Sequence, residues 1–237
     1  MATYYVVSSF AVNLSDEGVF DVVIMDEASQ ALLAMFAASN KIGKRKLWVG
    51  DTAQLGPVLS LNDNRVKSNL FDDFKEGFRT LTTKRIYPTY QLTATFRLTQ
   101  RSANYTGYFY NGTLISKSTI NPIVLNSFSK ILNSNGGPTL VLTDMEVGDT
   151  APKYAVDMAT YFVYAILKEQ PQIEIAVLTC LRKTTRVLQE AIALRLGLGN
   201  KVMIETIARV QGLTTDITLF FIPNASLNRS LEARLFN

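Results

Sequence analysis

Val19 to Gln30, VFDVVIMDEASQ, decides the fold: an apolar run that ends abruptly on paired carboxylates. Val22, Val23, Ile24 and Met25 have the continuous hydrophobicity of a parallel strand buried on both faces, so Asp26 and Glu27 fall where that strand leaves the core. Open α/β sheets bind their ligands at that end. Adjacent acids repel one another and resist desolvation, a cost that a recruited cation offsets. Magnesium on a nucleotide is the natural cation, with Asp26 holding the metal and Glu27 orienting or deprotonating an attacking water. The alternative is that both acids only start a helix near Ser29, where negative charge favours the dipole.

The composition bounds the remaining choices. The chain has 237 residues, 47% hydrophobic and 19% charged, which suits one large or two modest globular domains. No apolar run approaches the roughly 18 residues of a membrane span, and the N-terminus lacks the basic-then-apolar order of a signal peptide. The expectation is a soluble, cytoplasmic protein with no membrane partner. A single cysteine, Cys180, excludes an internal disulfide, and the absence of histidine removes the commonest general base, leaving catalysis to carboxylates, amides and basic groups. The net charge of +4 permits a polyanionic partner without requiring one.

Around the opening stretch, Tyr4 to Phe10 read as a strand, Asp16 to Gly18 as a turn, and Ala31 to Ala38 as a short apolar helix closed by Asn40 and Gly43. Lys46 to Asp51 repeat the first pattern, a buried-type strand ending on an acid, followed by Thr52, Ala53 and Gln54. If the two strands are parallel neighbours, the Gln54 amide lies beside the acid pair, within reach of a terminal phosphate or the attacking water. A simple polar turn is the other reading. Residues 62–88 read as surface helix and loop. Tyr90 to Arg97 then predict a strand, and Ser102 to Tyr110 an aromatic-rich helix stopped by Asn111-Gly112. Tyr105, Tyr108, Phe109 and Tyr110 fit either a base-stacking surface or core packing, the commoner fate of such a cluster.

DEASQ, then GDTAQLGPV, then LTATFR with YFYNGTL downstream, resemble motifs II and III and the following arginine motif of superfamily 1 helicases, most closely the Upf-like branch. The resemblance implies an α/β fold of two RecA-like domains with mainly parallel sheets flanked by helices, the first (1–116) incomplete at its N-terminus and the second (117–237) truncated at its C-terminus. It also implies ATP and Mg2+ as cofactors: Asp26 coordinates magnesium, Glu27 activates water, Gln54 senses the γ-phosphate and Arg97 acts as an arginine finger. Phe96 becomes an aromatic wall for the nucleotide base. Leu98 and Thr99 depart from the family's Met-His-Pro at that point.

The second half alternates strand and helix, as a parallel sheet requires: strands at 139–143, 173–179, 202–207 and 217–222, and helices at 154–168 and 184–196. Two further motifs are eroded there. Ile175 to Thr179 match a strand motif whose Pro-Tyr is replaced by Cys180-Leu181, and Glu205 to Gly212 match one with Ala208 in the usual acidic place. The resemblance sets Thr179 and Thr206 on nucleic-acid phosphates, with Ser9 in a similar role, and Gln211-Gly212 near the interdomain cleft. Hydroxyls that merely cap strand ends are an equal reading for both threonines. The family's glycine-rich phosphate loop has no counterpart in the 237 residues and is expected upstream of residue 1. The implied function is an ATP-driven motor on single-stranded DNA or RNA, within a larger polypeptide or a replication or repair complex. Two alternatives stand beside it: a catalytically inactive helicase-like module used as a binding surface, and a nucleotide hydrolase without a nucleic-acid partner.

Overall fold

The computed structural model describes residues 1–57, 69–142, 150–197, 202–210 and 213–222. The chain forms two compact units, Met1–Thr93 and Ala94–Asn237, so residues 94–116 pack with the second. Each is mixed α/β with small parallel sheets.

The first unit runs α1 (Tyr4–Asn13), β1 (Phe20–Met25), a 3-10 turn (Ala28–Gln30), α2 (Leu33–Ile42), β2 (Gly43–Trp48), α3 (Asn69–Lys75) and α4 (Gly77–Thr83). β1 and β2 pair in parallel, with Phe20 opposite Gly43 and Met25 opposite Trp48. Parallel neighbours need a crossover of a dozen or more residues, which the turn and α2 supply. Met25, Ala28, Ala31 and Phe36 form the buried cluster, against which Trp48 and Phe78 pack. Trp48 meets Phe36 edge-on at 5.1 Å and donates its indole N–H to the Ser39 hydroxyl at 3.0 Å, so its polar atom is satisfied.

Two expectations are corrected here. The Tyr4–Phe10 segment is helix, not strand: the Thr3 hydroxyl caps it by accepting from Val6 N at 3.4 Å, and its buried Ala11 belongs to a helix packed on α2. Capping and tertiary packing outweigh the β-propensity of Tyr-Tyr-Val-Val. β1 is parallel but not buried on both faces, since Val22 is 49%, Ile24 65% and the paired Leu47 53% exposed. Apolar content fixes the strand but not how many layers cover it.

The second unit runs β3 (Ala94–Thr95), α5 (Gln100–Gly107), a 3-10 turn (Tyr108–Tyr110), β4 (Ile115–Ser116), α6 (Lys153–Glu169), β5 (Ile175–Thr179), α7 (Arg182–Leu196), β6 (Val202–Thr206) and β7 (Ile217–Phe221). β5 is the centre of a parallel sheet ordered β6-β5-β7. Ile175 and Val177 are at most 1% exposed, packed with Leu188 and Ile192 of α7 and Val163 of α6. In α6 the buried positions Ala155, Val156, Ala159, Thr160, Val163 and Ile166 recur at helical spacing and define its inward face. The strand expected over 90–97 shrinks to β3, which among the described residues pairs with β4 alone, while Tyr90 and Leu92 stay exposed. The strand expected at 139–143 is absent from 139–142, and residue 143 lies outside the described residues. Among the described residues, no helix is long and apolar enough to cross a membrane.

The last residue of α6, Glu169, accepts from the backbone N–H groups of Asn126 and Ser127, tying the helix end to the 3-10 turn Asn126–Phe128 beneath the core. Hydrogen bonding from Ser127, then from Asn126, holds its carboxyl below the ordinary value of 4.5. A depressed carboxyl contributes stability above the unfolded-state pKa and loses it as pH falls through the folded-state value. Glu169→Gln is therefore expected to lower the melting temperature at neutral pH, with the gap to the wild type narrowing as the pH is taken below 4.5. Melting curves across that range check it; a pH-independent gap would assign the loss to packing.

Candidate functional site

The site begins where β1 and β2 end together. Past the last strand pair, Val49 N donates to the Met25 carbonyl and Ala28 N to the Val49 carbonyl, both at 2.8 Å. These bonds carry the parallel register one step beyond the strands. Asp26-Glu27 and Gly50-Asp51 therefore leave the same sheet end side by side, the end at which open α/β sheets bind ligands. Gly50 is required for this approach: a Cβ there would lie 2.8 Å from Ser29 N and 3.1 Å from the Phe78 ring. Ala28 and Ala31 are fully buried, so the small residues of DEASQ let the turn sit flat on the core.

Asp26 and Glu27 are both exposed, as is Gln54. Asp26 Oδ1 accepts from Glu27 N at 2.9 Å, and Glu27 adopts a left-handed conformation at φ 50, ψ 40. A residue with a Cβ pays about 1–2 kcal/mol for that conformation, which turns the glutamate out of the strand direction. The Tyr4 hydroxyl of α1 donates to the Asp26 carbonyl. Burial, then the charges of Asp26 and Glu27, push the Tyr4 phenol above its ordinary value. Sequence reasoning missed Tyr4 because it lay in the segment read as a strand. The Ser29 hydroxyl is buried with no hydrogen-bond partner among the described residues.

The second loop is a compact turn. Asp51 accepts from Ala53 N at 2.9 Å through Oδ1 and from the Gln54 side-chain amide at 3.1 Å through Oδ2. Gln54 thus stands on the loop after β2, whose strand ends at the same sheet edge as β1, with its amide engaged by Asp51. Magnesium takes one or two carboxylates and completes its shell with phosphate and water. The exposed Asp26 carboxylate fits that role. Among the described residues, no group of three or more Asp, Glu, Cys or His side chains would hold a metal by itself, so an ion here would take most of its ligands from outside these side chains.

The remaining candidates lie elsewhere. Arg97 and Phe96 belong to the second unit, on the bend after β3, and both are exposed, Phe96 by 72%. Thr179 and Thr206 are register partners at the ends of β5 and β6. Thr206 is half-buried. Thr179 is fully buried, its hydroxyl 2.7 Å from that of Thr185 and 3.1 Å from the Leu181 carbonyl, which is the strand-end capping geometry. Ser9 is exposed on α1 rather than after a strand. Gln211 and Gly212 lie outside the described residues. The aromatic cluster expected mainly in the core is on the surface instead: Tyr105 is 54%, Tyr108 84% and Phe109 71% exposed. No protein-family model and no curated protein matches the chain.

The left-handed Glu27 supplies a test of whether its side chain is there for folding. Glu27→Gly is expected to raise stability by about 1 kcal/mol, the relieved strain less the added chain entropy of glycine. Urea unfolding of both proteins measures it. A clear loss of stability would show that the glutamate side chain holds the turn together.

Proposed function

We propose that the chain is part of an ATP-dependent motor of the superfamily 1 helicase type, built on two RecA-like domains and acting on single-stranded DNA or RNA. The observation that carries this reading is the exposed Asp26-Glu27 pair at the C-terminal end of a parallel strand, beside the Asp51–Gln54 loop, with Glu27 held left-handed. Strain of this kind is concentrated at functional sites. In this reading Asp26 holds the magnesium, which when bound with nucleotide neutralises phosphate charge. Glu27 takes the proton of the attacking water, and Gln54 contacts the terminal phosphate after exchanging its bond to Asp51. Arg97 meets charge developing in the transition state, Phe96 flanks the base, and Gln211-Gly212 and Thr206 belong to the nucleotide and nucleic-acid contacts carried by the motif resemblance.

A second reading, a catalytically inactive helicase-like module, is favoured by one observation: the Gln54 amide is engaged by Asp51. One set of variants in the complete polypeptide separates the two. Glu27→Gln is expected to keep Mg-ATP binding and slow hydrolysis roughly 100-fold, the lower range of general-base loss. Arg97→Ala should also spare binding and slow hydrolysis about 1000-fold. Asp26→Asn should weaken the magnesium-dependent binding itself. Affinity by calorimetry and turnover by phosphate release, with and without single strands, give the answer; unchanged turnover in Glu27→Gln would sink the motor reading.

A further inference from the structure

The second unit contains an open cleft of ≈ 420 Å³ that the acid-pair chemistry does not use. It lies between α5, the segment Lys130–Asn133 and the segment Pro138–Leu140. Its lining includes two cations, Arg101 and Lys130, and no carboxylate. Neither cation forms an ion pair among the described residues. Lys130 is exposed, whereas Arg101 is held. The Arg101 guanidinium carbon sits 5.6 Å from the Tyr105 ring centroid, and Arg101 Nε is buried with no hydrogen-bond partner among the described residues.

The wall over Arg101 is built for it. Gly137 adopts φ +90, and a Cβ there would come within 2.8 Å of Arg101 Cγ and 2.9 Å of Cδ. The loop backbone thus lies directly on the arginine stem, which only glycine permits. Two bonds fix that loop: Asn135 N donates to the Asn133 side chain and Gly136 N to the Asn133 carbonyl, both at 2.9 Å. With Arg101 and Lys130 in its lining and no carboxylate to neutralise them, the cleft has the charge that an anion balances.

The surface beside the cleft is aromatic. Arg101 and Tyr105 follow at i and i+4 on one face of α5, and Tyr108 opens the 3-10 turn directly after it. Tyr108 and the adjoining Phe109, edge-on at 6.0 Å, present largely exposed rings. Paired cations next to exposed aromatic faces are the combination that binds single-stranded nucleic acid without reading its sequence, the cations taking phosphate and the rings stacking on bases. We propose that Arg101 and Lys130 bind a backbone phosphate of single-stranded nucleic acid in this cleft, with neighbouring bases stacked on Tyr108 and Phe109. This deepens the nucleic-acid half of the proposed function and rests on that half only. It is tested without nucleotide, so that its failure is distinct from failure of the ATPase reading.

The test is fluorescence anisotropy of a labelled single-stranded oligonucleotide of mixed sequence, titrated with the 237-residue chain at several salt concentrations. Lys130→Glu, an exposed change that leaves the fold intact, is expected to weaken binding about tenfold or more at low salt. Lys130→Ala should lower the slope of log affinity against log salt by about one. Tyr108→Ala should cost about tenfold, as for loss of one stacked base. Gly137→Val, which displaces Arg101, should weaken binding with Lys130 intact. Lys153→Ala, an exposed charge loss at the start of α6, is the control and should change little. Equal affinities for Lys130→Glu and Lys153→Ala would overturn the proposal. So would inorganic phosphate or ADP competing as strongly as the oligonucleotide, which would make the cleft a small-anion site.

Discussion

The bonds from Val49 N to the Met25 carbonyl and from Ala28 N to the Val49 carbonyl, each 2.8 Å, hold the ends of β1 and β2 together, and the first unit is arranged around them. Parallel pairing forces the chain between the strands to cross back over the sheet, and α2 is that crossover. It also puts both strand exits at one end, so the polar residues after each strand become neighbours although more than twenty residues separate them in sequence. The close approach leaves room for no side chain at Gly50 and for only small ones at Ala28 and Ala31. The polar groups Asp26, Glu27, Asp51 and Gln54 then project from the end of a core whose local packing is made of the smallest residues in the motif.

The second unit uses the same parallel pairing with the opposite treatment of polar groups. At the end of β5 the hydroxyls of Thr179, Thr184 and Thr185 are buried and satisfied, Thr184 by the Thr150 carbonyl at 2.7 Å and Thr185 by the Leu181 carbonyl at 3.1 Å. A buried hydroxyl with internal partners locks the strand to the following helix. At the end of β1 the carboxylates are exposed and one of them sits on strained backbone. Equivalent places in two parallel sheets thus serve different ends, closure in one and presentation of charge in the other.

Where one element carried its own signal, sequence and structure agree. β5, β6 and β7 lie within two residues of their expected bounds, as do α6 and α7, because each combines the right length with an unbroken apolar or helical period. α1 reads as a strand because Tyr-Tyr-Val-Val favours one locally, and the Thr3 cap and the contact with α2 decide otherwise. The exposure of Val22 and Ile24 was unreadable for a different reason: a strand's own residues do not say whether a second layer exists. The acid pair and its loop partner were legible as motifs, while the left-handed Glu27 and the Tyr4 bond to Asp26 were not, since neither φ nor a contact across 22 residues is written in local composition.

Arg97 and Arg101 show how far motif reading reaches. They lie four residues apart, and only Arg97 stands in a recognisable pattern. Arg97 is exposed on the bend after β3. The environment of Arg101 is made by residues far along the chain: Gly137 presses on its stem, Lys130 adds a second positive charge to the same cleft, and Tyr105 holds the guanidinium from below. Each of those residues reads alone as a loop glycine, a surface lysine or a helix tyrosine. Their chemistry exists only once the Asn133–Pro138 loop folds back over α5, so the arginine that no motif marks has the more fully constructed surroundings.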